Sequence, residues 1–211
     1  YNLSAGHSFL PEQKLIAATA QLLSVTPEVV QQGLAQAREA ERVVSDTLAG
    51  IPVIYLPQLY EAETYCASRL SDFASNSFSV NEDVEPLLRS AAEESGLHYS
   101  QQQEQAIRVA ASSGLLLITG GPGTGKTTVL RGILNLLGNL QLRYLLAAPT
   151  GRAAKRLSEV TGEDASTIHR LLESGIDPAT GKMAFARDED NPLKCDAVVV
   201  DEMSMVDVLL L

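Results

Sequence analysis

Eight consecutive residues, Gly120-Gly121-Pro122-Gly123-Thr124-Gly125-Lys126-Thr127, satisfy the pattern G-x-x-x-x-G-K-[ST] in full. Nothing else in the 211 residues restricts the fold as tightly. Such a loop grips phosphate because glycines let successive backbone N–H groups converge on its oxygens. The helix that follows adds free N–H groups and the positive end of its dipole. The pattern therefore demands a strand before the loop and a helix after it. Residues 115–119 (LLLIT) read as a buried strand, and 126–137 as a helix. In that setting Lys126 is expected on the β- and γ-phosphates and the Thr127 hydroxyl on Mg²⁺. Gly121, Pro122, Gly123, Thr124, Gly125 and Thr128 complete the expected nucleotide-binding set.

A second constellation lies downstream, where the apolar run Val198-Val199-Val200 ends in Asp201-Glu202. A strand-end pair of surface acids would look the same in isolation. Joined to the phosphate loop, Asp201 is expected to hold Mg²⁺ through water, and Glu202 to orient and deprotonate an attacking water. Thr127 and Asp201 are thus the expected metal residues, and Lys126, Asp201 and Glu202 the catalytic ones. Between the two motifs the pattern alternates. Helices are expected over 100–113, 126–137, 151–160 and 166–172, and strands over 143–148 and 197–201. Alternation of this kind predicts an α/β fold with a parallel, RecA-like P-loop sheet.

The first part of the chain reads differently. Helices are expected over 11–23 and 27–39, the second with Thr26 as N-cap and Pro27 in its first turn. Short strands over 42–45 and 51–56 flank a turn at Leu48-Ala49-Gly50. Helix, helix, hairpin is a winged-helix-like outline. A connecting helix is expected over 59–73, a linker at 74–77 and a further helix over 81–95. The expected domains are a winged-helix-like module over 1–75, a helical linker over 76–98 and an ATPase domain over 99–211.

Charge follows this division. The net charge is −10; residues 1–95 hold 5 Lys/Arg against 13 Asp/Glu, whereas residues 96–211 hold 11 against 13. A surface of that sign excludes a general nucleic-acid coat, so any phosphate contact belongs to the second part. Cys66 and Cys195 have no partner at metal-ligand spacing and read as packing residues, so no structural metal is expected. No apolar run approaches the roughly 20 residues that cross a bilayer. No leader-like segment opens the chain, and the reading is of a cytoplasmic protein without membrane contact. Tyr1 and the apolar Val208-Leu209-Leu210-Leu211 both read as cut ends.

Several stretches outside the phosphate loop match a known pattern. Residues 118–128 (ITGGPGTGKTT) resemble the first motif of superfamily 1 helicases. Residues 147–157 (AAPTGRAAKRL) resemble motif Ia of the RecD branch, 165–172 (ASTIHRLL) its next segment, and 200–207 (VDEMSMVD) its motif II. Residues 99–106 (YSQQQEQA) are similar to the family's Gln motif. Residues 6–11 and 53–63 resemble the segment that precedes the motor in stand-alone RecD/TraA-type helicases. The likeness covers nearly the whole chain, more loosely before Gly96.

It implies an ATP-dependent DNA helicase of 5′-to-3′ direction in repair or recombination, using ATP and Mg²⁺. Its partners would be single-stranded DNA and a duplex junction, with RecBCD-like subunits as a further possibility. Gln103 would contact the adenine. Pro149, Thr150, Gly151, Arg152 and Lys155 would form a DNA-phosphate contact: a turn, a hydroxyl, free N–H groups and positive charge at a helix start. Thr167 reads equally as a second phosphate contact or as a helix cap, and His169 as a structural residue. Residues 173–194 read either as a duplex-parting hairpin pin or as a polar surface loop. The later motifs and the second RecA-like domain with its arginine fingers do not occur in these residues. The expectation is therefore a piece that binds ATP or ADP, hydrolyses slowly and does not unwind DNA. The rival reading is a nucleotide-regulated protein-binding module without helicase activity.

Overall fold

The computed structural model describes residues 6–76, 85–86, 99–121, 123–178, 181 and 183–211. The helix expected over 81–95 and most of the linker lie outside them. The chain divides into two compact units, Tyr1–Leu70 with Asp207–Leu211, and Ser71–Val206.

In the first unit, β1 (Phe9–Pro11) leads into α1 (Glu12–Leu23) and α2 (Pro27–Glu39). The hairpin β2 (Val44–Leu48) and β3 (Ile51–Tyr55) follows, and then α3 (Pro57–Ser75). The helices bury one face each: Ile16 of α1 and Leu34 of α2 meet Ile54 of β3, with Leu15, Val30 and Val43 around them. Leu48 pairs directly with Ile51, so the hairpin turns on two residues. Both have positive φ, +50° at Ala49 and +80° at Gly50, the type I′ geometry that matches strand twist. The strand β1 was not legible in the sequence, where Pro11 marks a helix start. It pairs antiparallel with β3, giving the order β1-β3-β2. Tyr55 closes this small core. Its ring packs on Phe9 and Tyr60 and its hydroxyl donates to Glu63 at 3.0 Å. Burial first, and then the Glu63 carboxylate, push its pKa up to about 12.

The second unit carries α4 (Gln101–Ser112), α5 (Lys126–Asn139), β4 (Tyr144–Ala148), α6 (Gly151–Thr161), β5 (Ala165–Thr167) and α7 (Ile168–Leu171). The hairpin β6 (Ser174–Ile176) and β7 (Met183–Phe185), β8 (Ala197–Val200) and a 3₁₀ turn (Met203–Met205) complete it. The parallel sheet runs β5-β4-β8. Its core has two parts. Ile107 and Ala111 of α4 pack on Val129, Ile133, Leu136 and Leu137 of α5. Leu134 of α5, Leu146 of β4 and the fully buried Leu157 of α6 form the other, with Val199 of β8 against them. The expected α/β architecture with a parallel sheet is present.

Two expectations fail in detail. Residues 115–119 are not a strand, and Leu117 is 74% exposed. Apolar composition favours extended backbone, but a strand exists only with a neighbour to bond. Among the described residues the outer edges of β5 and β8 carry no further strand, and residues 115–119 pair with neither. The helix expected from Ser166 begins instead at Ile168, because Ala165–Thr167 pair with Leu146–Ala148 as β5. No helix among the described residues is long and apolar enough to cross a membrane.

Candidate nucleotide and nucleic-acid site

The loop from Gly120 to Gly125 closes on itself through Lys126. The ammonium at the head of α5 donates to the Gly120 carbonyl at 2.6 Å and to the Gly121 carbonyl at 2.8 Å. The Thr124 hydroxyl donates to the Gly121 carbonyl at 2.9 Å. Glycine is required at defined points. Gly123 and Gly125 sit at φ +75° and +84°, and a Cβ on Gly120 would come within 2.7 Å of the Thr124 hydroxyl. Pro122 lies outside the described residues. Thr127 is exposed in the first turn of α5, and Thr128 is half-buried beside it.

Gln103 reaches this loop from α4. A capping box holds it: Ser100 Oγ accepts the Gln103 N–H at 3.3 Å, while Gln103 Oε1 accepts the Ser100 N–H at 2.8 Å. Its Nε2 lies against Gly125, where any Cβ would collide with it. The sequence reading opens this helix at Ser100 but leaves out its reciprocal bonds with Gln103. The spacing S-x-x-Q was the available signal.

The sheet gathers the remaining candidates along one edge. Asp201 follows β8, and its N–H donates to the Ala147 carbonyl of β4 at 3.0 Å. Its Oδ1 accepts the Glu202 N–H at 2.9 Å, leaving Oδ2 without a hydrogen bond among the described residues. Glu202 stands at φ +54°, in the left-handed region. Two residues beyond β4, Thr150 caps α6, its hydroxyl accepting the Ala153 N–H at 3.2 Å. Thr167, opposite Ala148 in register, caps α7 in the same way through the Arg170 N–H at 3.2 Å. Asp201, Thr150 and Thr167 therefore stand at the carboxyl ends of three adjacent parallel strands, where open α/β sheets bind ligands. Pro149 and Gly151 flank Thr150. Arg152 and Lys155 project into solvent from α6, and Lys155 lies 3.9 Å from the Glu159 carboxylate. Among the described residues neither makes a hydrogen bond or ion pair with the phosphate loop.

The donors suit a hard divalent cation. A hydroxyl at Thr127 and a carboxylate with a free oxygen at Asp201 are the sparse oxygen set with which Mg²⁺ keeps its waters and a nucleotide's phosphates.

The domain family described as "AAA domain" matches residues 103–211. The ATP-dependent RecD2 DNA helicase of Deinococcus radiodurans is 34% identical over 217 residues, covering 98% of this chain. RecD, a subunit of the RecBCD enzyme of Mycolicibacterium smegmatis, is 41% identical over 134 residues and 53% of this chain. The chain belongs to the AAA domain family, in its RecD-like superfamily 1 branch. Its likeness to the helicase dda of phage T4 is 42% over 94 residues, 43% of this chain and 21% of that protein. It spans 29% of the length of the Deinococcus relative and 24% of the mycobacterial one. The RecD-type resemblance of the motifs is borne out.

The RecD-like chain also links its two motif helices directly. Arg131 of α5 donates from Nε to the Val160 carbonyl at the end of α6, at 2.6 Å. This tie satisfies a carbonyl that the helix itself leaves orphaned. No local pattern announces it. At the opposite end of the sheet, Asp196 accepts the Arg143 N–H at 2.8 Å and its Nε at 3.2 Å. These bonds hold the Asp196 carboxyl below its ordinary range. Burial pushes the neighbouring Cys195 thiol up.

Proposed function

We infer that the chain is the nucleotide-binding and strand-gripping part of an ATP-driven, RecD-like DNA helicase. The observation that carries this reading is the glycine-built loop closed on Lys126, together with Asp201 at the carboxyl end of β8.

On an incoming triphosphate, Lys126 exchanges its two loop carbonyls for β- and γ-phosphate oxygens. N–H groups of Gly121, Pro122's neighbour Gly123, Thr124, Gly125, Thr127 and Thr128 surround the phosphates, and Gln103 meets the base. The Thr127 hydroxyl and the Asp201 carboxylate would hold Mg²⁺, which would supply positive charge to offset that of the phosphates. Glu202 orients the attacking water and takes its proton. Thr150 and Thr167 already accept a backbone N–H each, so each hydroxyl proton remains to be donated to a DNA phosphate. Pro149 and Gly151 shape that turn, and Arg152 and Lys155 add charge beside it. The hairpin β6–β7, with Ile176 and Met183 exposed near its turn, is the candidate duplex-parting pin. The direction 5′-to-3′, single-stranded DNA and a duplex junction as substrates, and possible RecBCD-like partners follow from the RecD-type likeness. As a domain, residues 99–211 are the ATPase part and 1–75 a winged-helix-like module.

Titration of a fluorescent ATP analogue in Mg²⁺ tests the centre of this proposal. Charge-assisted hydrogen bonds of this kind are worth about 1.5–3 kcal/mol, so Lys126→Ala is expected to weaken binding about 10- to 100-fold. Unchanged affinity in that variant would remove the nucleotide reading, and the helicase with it.

A further inference from the structure

The first unit leaves one sheet edge open. In the order β1-β3-β2, β2 pairs with β3 and, among the described residues, with no strand on its other side. The two-residue turn fixes which groups face outward. Leu48 and Ile51 close the hairpin as a hydrogen-bonded pair, so Asp46 with Val53 and Val44 with Tyr55 are bonded pairs as well. Ser45 and Thr47 fall between them and turn their backbone N–H and C=O groups away from β3. Pro52, which has no N–H to give, stands opposite Thr47 and agrees with that register. The Thr47 N–H is taken by the Asp46 carboxylate at 2.7 Å. The Ser45 N–H and the carbonyls of Ser45 and Thr47 have no bond among the described residues. Such a row of backbone groups is what an added strand pairs with.

A cleft of about 560 Å³ opens beside the start of this strand. Val43, Val44 and Pro57 give it apolar walls, and Glu41 and Glu61 give it negative charge. Neither acid has an ion pair among the described residues. Arg38, the cation of the lining, is engaged by Glu12 at 2.6 Å and by the Ser45 hydroxyl at 2.7 Å. A long basic side chain suits this lining, its methylenes on the apolar walls and its charge beside the acids. A second copy of the chain does not, because residues 1–95 hold 5 Lys/Arg against 13 Asp/Glu and two such units repel.

We propose that the open edge of β2 takes an extended segment of a partner protein as a further strand, with a Lys or Arg of that segment seated in the cleft that carries Glu41 and Glu61. Main-chain bonds to Ser45 and Thr47 supply the affinity, and the cleft supplies the choice of a basic over an acidic segment. The surface lies outside the ATPase part, and its test does not depend on nucleotide binding.

The probe is the peptide Thr-Val-Thr-Arg-Thr-Val-Thr, blocked at both ends and titrated into the 211-residue chain while amide hydrogen exchange is followed residue by residue. Three further peptides carry Glu in place of Arg, or N-methyl groups on one or the other alternate set of amides. Exchange at the Ser45 amide should slow about tenfold at saturation. One N-methyl set should abolish that protection and the other leave it, because alternate amides of a strand face opposite sides. The Glu peptide should bind about fivefold more weakly, and Glu41→Gln combined with Glu61→Gln should erase the difference. Ser45→Pro, which an edge strand admits where its N–H points outward, should lose the peptide, whereas Ser45→Ala should keep it. If Ser45→Pro fails to fold, as its melting curve would show, the two N-methyl peptides still decide in the unaltered chain. Unchanged Ser45 exchange at about 2 mM peptide, or binding that neither N-methyl set abolishes, overturns the added strand. Equal binding of the Arg and Glu peptides overturns the basic partner. Ser45 protection that rises with protein concentration in the absence of peptide assigns the edge to a second copy and overturns the proposal as well.

Discussion

Glu202 holds the acid expected to activate water, on a backbone that its own side chain disfavours. Its φ of +54° is in the left-handed region, where a non-glycine residue is strained. Nearby bonds hold it there: its N–H is taken by Asp201 Oδ1, and its carbonyl accepts the Met205 N–H at 3.0 Å. Strain of this sort concentrates at functional sites and is tolerated because the surroundings over-determine it. Asparagine enters the left-handed region more readily. Glu202→Asn is therefore expected to stabilise the chain by about 0.5–1 kcal/mol, raising the melting temperature by about 2 °C, with ATP-analogue affinity unchanged. A lower melting temperature would mean that the carboxylate makes a stabilising contact that outweighs the backbone term. The identity of Glu202 was legible in the sequence. Its conformation was not, because nothing in Asp-Glu-Met requires a positive φ.

Between elements, two glycines on the same helix should respond in opposite directions. Gly132 lies where α5 meets α4, and a Cβ there would come within 2.5 Å of the Ile107 Cδ1 and 3.1 Å of the Tyr99 hydroxyl. Ile107 is fully buried and has little room to yield. Gly138 has nothing within 4 Å of a Cβ. Alanine raises helix propensity by about 1 kcal/mol at either place, so Gly138→Ala should raise the urea midpoint. Overpacking of about 1–3 kcal/mol opposes that gain at Gly132, and Gly132→Ala should lower the midpoint. A rise in both would show that α4 can move away from α5. The pairing of β4 with β8 has its own dependence on pH. Arg143 lowers the Asp196 pKa in the folded chain, so this interaction stabilises above the ordinary carboxyl value of 3.8 and is lost as pH falls through the folded value. The parent should exceed Asp196→Asn in melting temperature at neutral pH, the two converging as pH drops below that value. A constant gap would assign the effect to packing. Long periodic elements such as α2 and α5 were legible because each writes its own buried face into the sequence. The three-residue strands β1 and β5 were not, since Phe9–Pro11 and Ala165–Thr167 become strands only through the neighbours that pair with them. The same dependence on a neighbour explains why residues 115–119, apolar enough for a strand, do not form one. At the site, the loop and Asp201-Glu202 were legible as contiguous motifs. The clamp of Ser100 on Gln103 had a readable spacing, and the Arg131 tie had none, because it joins residues 29 apart on two helices.

Over the whole chain, a net charge of −10 opposes the approach of a polyanion, and the first 95 residues carry most of it. If the carboxyl edge of the sheet grips single-stranded DNA, attraction must come from a few local groups rather than from a general field. The candidates are the hydroxyls of Thr150 and Thr167, the free N–H groups after Thr150, and the exposed Arg152 and Lys155. Of these only the two cations displace counterions, and Lys155 shares its charge with Glu159 at 3.9 Å. With about two phosphates neutralised, and about 0.7 per phosphate for a single strand, log K should fall with log salt at a slope of about −1.4. Arg152→Ala should bring the slope about 0.7 closer to zero, whereas Thr150→Val should weaken binding at every salt concentration and leave the slope alone. Anisotropy of a labelled oligonucleotide between about 50 and 200 mM salt measures both. A slope near −5 would reveal an extended basic track and displace the contact from α6. A slope near zero that no substitution alters would mean that the cations of α6 meet no phosphate at all, and would favour a nucleotide-regulated module whose partner is a protein.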